Sequence, residues 1–337
     1  MKYTNRYGYP EGMYTGRFTR VGVGDGLLAV GFVLAWSSGF IGATLGTRAA
    51  SAATLLMWRF VIAAPLLALW SFRRHEPRLG RRELARQSVL GLLSQGVYLG
   101  ATIYAVGLGV SAGVAALIAA LQPLAAAALA GPVLGEQVDR RQWTGLTVGL
   151  IGVAIVVSGS LTGAHSAPAW AYALPFLAMA GLVAATLLER RTEHQGTLVQ
   201  GLTVQCAVSA GLFSLLAVVN GQATPPTTPG FWIAIAWVIV LSTFGGYGLY
   251  WINLHRHSIT RVSSLIYLTP PTTLLWALVM FNQPISAITI AGIAVCLASV
   301  RLVQHRRAQP AAPTPGHSAD DEPRASARTR PVGVCGD

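Results

Sequence analysis

The sequence predicts an all-α polytopic membrane protein, in which ten transmembrane helices form two five-helix inverted repeats and both termini are cytoplasmic. Three observations support this fold class. The 337 residues are 53% hydrophobic and 11% charged, with a mean hydropathy of +0.53. That composition leaves too little polar surface for a soluble globule. Arginines cluster in alternate loops, and one motif occurs twice at a fixed spacing.

The repeated motif is the clearest sign of a duplication. Its first copy reads Leu-Gln-Pro at 121–123 and its second reads Leu-Thr-Pro at 268–270, an offset of 147 residues. The same offset relates Gly145 to Gly292. Several matches in register indicate an internal repeat, whereas one Leu-x-Pro match would carry no information.

Each copy places proline inside an apolar run. Proline removes a backbone donor and disrupts a helix, and in lipid such a break persists only where protein or a watery cavity satisfies the freed groups. Pro123, Pro270 and Pro271 are therefore predicted to mark helix breaks at the site where a solute is handled.

A membrane crossing needs about 20 mainly apolar residues in a helix. On that criterion the predicted spans are 26–45, 51–72, 88–108, 112–134 and 143–161, then 170–188, 198–219, 231–254, 262–281 and 285–303. Each copy thus has five spans, which is an odd number. The two copies therefore enter the membrane from opposite sides, as in inverted-repeat transporters.

The arginines give the orientation. The loops after spans three, five, seven and nine contain no Lys or Arg, and only Arg48 lies in an otherwise external loop. By the positive-inside rule both termini are cytoplasmic, and we expect the cytoplasmic (inner) membrane. The internal arginines are Arg73, Arg74, Arg78, Arg81, Arg82 and Arg86 after span two, Arg140 and Arg141 after span four, Arg190 and Arg191 after span six, and Arg256 and Arg261 after span eight.

These boundaries predict four regions. Residues 1–24 form a cytoplasmic N-terminal tail, 25–161 the first five-helix repeat, 162–303 the second, and 304–337 a disordered cytoplasmic tail rich in Pro, Ala and charge. A cleavable signal is the alternative for the N-terminus. It is disfavoured because the first apolar run is membrane-length and more spans follow it.

Several motifs in this frame resemble the EamA family of the drug/metabolite transporter superfamily. They are Trp-Ser-Ser-Gly-Phe at 36–40, Arg-Phe at 59–60, and Leu-Gln-Pro at 121–123 leading to Gly-Glu at 135–136. The resemblance covers about 26–303 and implies a ten-span exporter or permease of small metabolites. One departure is Asn-Gln-Pro at 282–284, where the family usually repeats Gly-Glu.

Polar and aromatic residues at helical spacing are the candidate solute-binding groups. The competing interpretation for each Ser, Thr or Tyr is a hydrogen bond between helices. Thr102 and Thr243 continue two of these helix faces. The candidate substrate-binding residues are Trp36, Phe40, Arg59, Gln95, Tyr98, Gln122, Tyr247, Tyr250, Tyr267 and Thr269.

Two charged residues carry alternatives. Arg59 is the only charge predicted well inside a span, where a cation needs a partner or a watery cavity. It either snorkels and caps freed carbonyls or binds an anionic group of the solute. Glu136 is a helix-end cap beside Arg140, or less favourably a proton relay.

The predicted function is a secondary transporter that exports small metabolites such as amino acids by alternating access. The alternatives are a facilitator or exchanger, and less favourably a non-transport membrane protein. An enzyme is disfavoured because no His, Asp or Glu lies near the centre of a span. We expect no cofactor and no metal, a solute and the bilayer as partners, and no nucleic acid, because the net charge of +12 follows from topology. A homodimer stays open.

Overall fold

Helices account for nearly all of the described part of the chain. The structure is a computed structural model and describes residues 23–74, 76, 79–134, 140–161, 167–191, 196–246, 248–249, 265–283 and 285–304. Both predicted tails lie outside these residues, apart from 23, 24 and 304.

Twelve α-helices, two π-helical segments and one short 3₁₀ helix are described. The π-helical segments are π1 (Leu92–Leu99) and π2 (Val238–Gly246), and the 3₁₀ helix is Ala169–Tyr172. The α-helices are α1 (Val23–Ala49), α2 (Ala52–Arg73), α3 (Arg81–Gly91), α4 (Gly100–Gly107), α5 (Ala112–Ala119), α6 (Gln122–Leu134), α7 (Arg140–Leu161), α8 (Ala173–Arg191), α9 (Leu198–Val219), α10 (Pro229–Trp237), α11 (Thr269–Phe281) and α12 (Ala287–Gln304).

Six described helical stretches are long and apolar enough to cross a membrane. They are Gly26–Ala49, Ala52–Arg73, Arg81–Gly107, Ala169–Glu189, Leu198–Val219 and Pro229–Gly246. Four shorter apolar helical stretches overlap the other predicted spans, and they are Ala112–Ala126, Trp143–Ser158, Thr269–Phe281 and Ala287–Ser299. The helical class is confirmed, while the count of ten stays a prediction.

The predicted third span begins too late in the chain. The sequence places it at 88–108, with Arg81, Arg82 and Arg86 in the preceding loop, but the helix begins at Arg81. Glu83 supplies an acid to its first turn, and Arg86 pairs with that carboxylate one turn later. Both features favour a helix in this charged stretch. A prediction from hydropathy alone leaves these charged residues out of the helix.

The duplication reappears in the helix boundaries. Helices α6 and α11 begin 147 residues apart, at Gln122 and Thr269. The two π-helical segments also correspond at this offset, because Gln95 in π1 and Ser242 in π2 are 147 residues apart. Each half therefore repeats a helix that begins at the motif and a π-helical segment before it.

The breaks at the motif prolines share one hydrogen-bonding pattern. The amide of Leu121 donates to the carbonyl of Ile118 at 3.1 Å, and 147 residues later Leu268 donates to Leu265 at 3.0 Å. Pro123 is thus the second residue of a new helix, and Pro270 is likewise the second residue of α11. The single span predicted at 112–134 is therefore two helices. Each proline lacks its backbone N–H in the first turn of a helix, where an N–H has no hydrogen-bonding partner within that helix.

The two halves pack through α2 and α9, which form the most extensive helix pair. Phe60 and Phe213 stack there with ring centroids 5.8 Å apart. Thr54 Oγ1 donates to the carbonyl of Gln222 at 2.7 Å and Trp58 Nε1 donates to that of Ala223 at 3.1 Å, both in the segment that follows α9. These contacts join α2 to α9 and its following loop, and the two helices occupy equivalent places in the repeats.

Helices α7 and α12 cross at small residues. Cys296 Sγ donates to the carbonyl of Gly149 at 3.4 Å. A Cβ added at Gly292 would lie 2.7 Å from the carbonyl oxygen of Gly152. Because the backbones approach this closely, glycine is required at the crossing, as is usual where small residues let membrane helices pack closely.

Candidate functional site

A cavity forms where both π-helical segments meet α1, α2 and α4. It encloses about 480 Å³ of empty space including its open mouth. Among the described residues that line it, Arg59 is the only charged one, and the walls are mainly aromatic or aliphatic. We call this space the Arg59 cavity; its lining residues are Trp36, Gly39, Phe40, Arg59, Tyr98, Leu99, Thr102, Ile103 and Ser242.

Arg59 reaches the cavity from the middle of α2 and is only 2% exposed. Its Nη2 donates to Thr243 Oγ1 at 3.1 Å, and its guanidinium carbon lies 5.5 Å from the centroid of the Phe60 ring. A guanidinium offers several donors in a planar fork, so it can keep such a bond while presenting others to an anion. The cavity therefore combines one fixed cation with apolar walls.

The π-helical segments bring polar side chains to this place. Tyr98 belongs to π1 and Ser242 to π2, and Thr243 follows directly in π2. A π-helical turn inserts one residue into the helical register, which shifts the face that later residues present and is frequent at functional sites. The two segments thus approach the same cavity from equivalent positions in the two halves.

A glycine permits a close approach between α1 and π2 at the cavity. A Cβ added at Gly39 on α1 would lie 2.8 Å from Ser242 Oγ. Near the same point, Trp237 Nε1 donates to the carbonyl of Ser38 at 3.0 Å. Without a side chain at position 39, the Ser242 hydroxyl can occupy the edge of the cavity.

Four predicted binding residues meet in this cavity: Trp36, Phe40, Arg59 and Tyr98. Gln95 lies on π1 and is 2% exposed, outside the lining. Gln122 Nε2 donates to Thr186 Oγ1 on α8 at 3.0 Å, which is a hydrogen bond between helices. Tyr247 and Tyr250 lie outside the described residues, as does Glu136.

The other predicted residues meet at the second helix break. A smaller apolar cavity, with about 270 Å³ of empty space including its open side, has Tyr267, Pro270 and Pro271 in its lining. Thr269 is 3% exposed, and its carbonyl accepts a hydrogen bond from Ser37 Oγ at 3.4 Å. The remaining lining residues are Leu117, Ala120, Leu121, Ile293, Cys296 and Leu297, so the two breaks contribute to one space.

Sequence reasoning missed Ser242 and Gly39 as parts of the Arg59 cavity. A signal for Ser242 exists in the repeat, because Gln95 and Ser242 are 147 residues apart and occupy equivalent places in π1 and π2. Gly39 lies within the Trp-Ser-Ser-Gly-Phe motif, but nothing in its local sequence indicates which helix approaches it.

The chain is similar to known transporters over most of its length. The profile of the EamA-like transporter family matches residues 26–158 and 169–304. A probable terminal-alkyne amino-acid exporter of Streptantibioticus cattleyicolor is 25% identical over 279 residues, or 81% of this chain and 91% of that protein. A probable amino-acid metabolite efflux pump of Salmonella typhimurium is 24% identical over 285 residues, or 82% and 93%.

The fold is also similar to a solved one. A crystal structure aligns with a TM-score of 0.59 and 18% identity, covering 83% of this chain and 96% of its own. At that identity the similarity concerns the fold alone.

Proposed function

This chain belongs to the EamA-like transporter family and is a multi-pass membrane protein, and from that premise we propose that it exports amino acids or similar small metabolites. Two relatives named for amino-acid export or efflux align over more than 80% of the chain, which supports this solute class. We place the protein in the cytoplasmic membrane, with ten spans and both termini inside. Residues 25–161 and 162–303 act as the two halves, and the solute is the small-molecule partner.

The observation that carries the proposal is the Arg59 cavity. A free amino acid has a carboxylate, which the Arg59 guanidinium can bind with a charge-assisted hydrogen bond. Its side chain can lie against Trp36 and Phe40, and Tyr98 and Ser242 supply hydroxyl groups for the polar backbone of the solute. A few polar groups within apolar walls are the usual composition of a small-molecule site.

Alternating access supplies the transport mechanism in this proposal. The cavity is lined by residues from both repeats, so movement of one half against the other would change its exposure to the two sides. The second cavity, at the paired helix breaks, is a further part of the pathway. Tyr267, Thr269, Pro270 and Pro271 contribute there, and Gln95, Gln122, Tyr247 and Tyr250 remain proposed binding residues.

Counterflow in proteoliposomes tests the proposal directly. Purified protein is reconstituted with an internal load of one amino acid, and entry of the labelled amino acid is followed with and without a pH gradient. We expect counterflow for amino acids with apolar side chains. A pH gradient that drives net accumulation would indicate coupled transport, whereas exchange unaffected by the gradient would favour the facilitator or exchanger. Absence of counterflow for every amino acid would contradict the proposed solute class.

A further inference from the structure

We propose that Thr243 is a positioning residue, which holds the Arg59 guanidinium in place for the carboxylate of the solute. The inference rests on the proposed function, because it assigns a role at the same cavity. Arg59 lies in the first matched repeat and Thr243 in the second. One half of the protein would thus set the geometry of the binding group that the other half supplies.

The hydrogen bonds around Thr243 give its hydroxyl a defined direction. Thr243 Oγ1 donates to the carbonyl of Val238 at 3.0 Å, and a threonine hydroxyl has only one hydrogen to donate. Its lone pairs are therefore available to the donor Nη2 of Arg59 at 3.1 Å. The hydroxyl acts as an acceptor toward Arg59, since its one hydrogen is donated to a carbonyl of the π2 backbone.

The π-helical register supplies that backbone acceptor. Val238 is the first residue of π2 and lies five residues before Thr243. The i to i+5 spacing is the hydrogen-bonding period of a π-helix. In contrast, the hydroxyl of Thr102 on α4 donates to the carbonyl of Tyr98, four residues earlier, at 2.7 Å. The position of Thr243 toward Arg59 is thus tied to the π-helical distortion.

Burial makes this contact relevant to the solute. Thr243 is 5% exposed and Arg59 is 2% exposed, so water does not compete freely for the bond. An arginine side chain loses rotamer freedom when it is fixed. A protein contact that fixes the guanidinium beforehand removes part of this cost from solute binding. Relative movement of the two repeats would change this contact, and with it the affinity for a carboxylate.

The test compares two substitutions of Thr243 with one matched control. Thr243→Val removes the acceptor while keeping the shape, and Thr243→Ser keeps the hydroxyl. Thr44→Val is the control, because Thr44 is also buried, lies outside the cavity lining and donates to the carbonyl of Phe40 on its own helix. Leucine, phenylalanine and methionine are first tested with the wild-type protein, and the one with the strongest counterflow is used as the probe. Its amide, which lacks the carboxylate, is measured beside it.

We expect Thr243→Val to raise the half-saturation constant for the amino acid about ten-fold or more, since a hydrogen bond to a charged group is lost. The constant for the amide and the maximal rate should change less than about two-fold on this argument, because neither depends on the carboxylate contact. Thr243→Ser should restore the wild-type constant, and Thr44→Val should keep it. Added to Arg59→Lys, Thr243→Val should cause no further rise, because coupled residues are non-additive.

An unchanged constant in Thr243→Val would overturn the inference, and so would equal changes for the amino acid and its amide. If Thr243→Val does not fold, Thr243→Cys replaces it, since a thiol is a weak acceptor. A half-saturation constant that rises for the amino acid and not for its amide supports the role of Thr243. A wild-type constant for the amino acid overturns it. Failure of the proposed function looks different, because the wild type itself would then show no counterflow. If Arg59→Lys weakens transport of the amino acid and Thr243→Val does not, only the role of Thr243 is overturned.

Discussion

Arg86 Nη1 donates to Glu189 Oε2 at 2.8 Å and so connects α3 with α8. The same guanidinium bonds both oxygens of Glu83, and Gln87 Nε2 donates to Glu83 Oε1 at 2.9 Å. Gln205 Nε2 on α9 continues the chain to Gln87 Oε1 at 2.8 Å. A single network therefore joins one helix of the first half to two helices of the second.

The two carboxylates of this network should differ in their importance for stability. The side chains of Arg86 and Glu83 are 9% and 5% exposed, whereas that of Glu189 is 44% exposed. Removing one member of a buried pair costs about 3–5 kcal/mol, while an exposed pair contributes about 0–1 kcal/mol. We expect Arg86→Met to lower the unfolding free energy in a detergent titration far more than Glu189→Gln does. Equal losses would show that the pair with Glu83 carries no special weight.

The crossing of α7 and α12 should not tolerate a side chain at its centre. Gly292→Ala would place a Cβ 2.7 Å from the carbonyl oxygen of Gly152, and overpacking of this kind costs about 1–3 kcal/mol. Gly211 on α9 is the matched control, because nothing lies within 4 Å of a Cβ built there. Gly211→Ala should keep the wild-type melting temperature or raise it, since alanine favours helix by about 1 kcal/mol. A neutral Gly292→Ala would contradict the tight crossing.

Replacing Arg59 should separate binding from folding. Arg59→Lys keeps a cation but loses the planar fork, so we expect weaker counterflow of amino acids at an unchanged yield of folded protein. Transport of amides should be spared, and Arg59→Gln should show the same selectivity with a larger loss. If both variants instead fail to yield folded protein, the buried arginine is structural, and the solute-binding role is wrong.

The motif prolines should matter more for transport than for folding. Pro123 and Pro270 are the second residues of α6 and α11, where a missing amide costs no ladder hydrogen bond. Pro123→Ala and Pro270→Ala should therefore leave the yield of folded protein nearly intact. We expect slower transport, because alanine relaxes the constraint that proline places on the preceding residue. Wild-type rates in both variants would assign the breaks to packing alone.

The ten-span topology can be tested with single cysteines in a cysteine-free background. The arginine alternation predicts that Ala164→Cys and Gln222→Cys react with a membrane-impermeant thiol reagent in intact cells. Gln142→Cys and Thr192→Cys should react only after the membrane is opened. Labelling at position 142 from outside would contradict the ten-span arrangement.

Much of this protein could be predicted from its sequence, because the signals are local or periodic. Hydropathy predicts membrane helices, and the 147-residue offset between Gly145 and Gly292 predicts two equivalent halves, which the equal spacing of α6 and α11 reflects. Apolar context also identifies Arg59 as the one deep charge. Each of these inferences needs only neighbouring residues or a comparison of the chain with itself.

The tertiary structure alone decided which side chains share a cavity. Arg59 and Thr243 are 184 residues apart, and helical periodicity gives the face of a residue without naming the helix it faces. Gln122 has the same polar character as the cavity residues, yet it bonds Thr186 on α8. The π-helical segments add a further shift, because each inserted residue rotates the helix face by about 100°. Packing between distant helices, which local sequence does not encode, placed Ser242 beside Gly39 and left Gln95 outside the cavity lining.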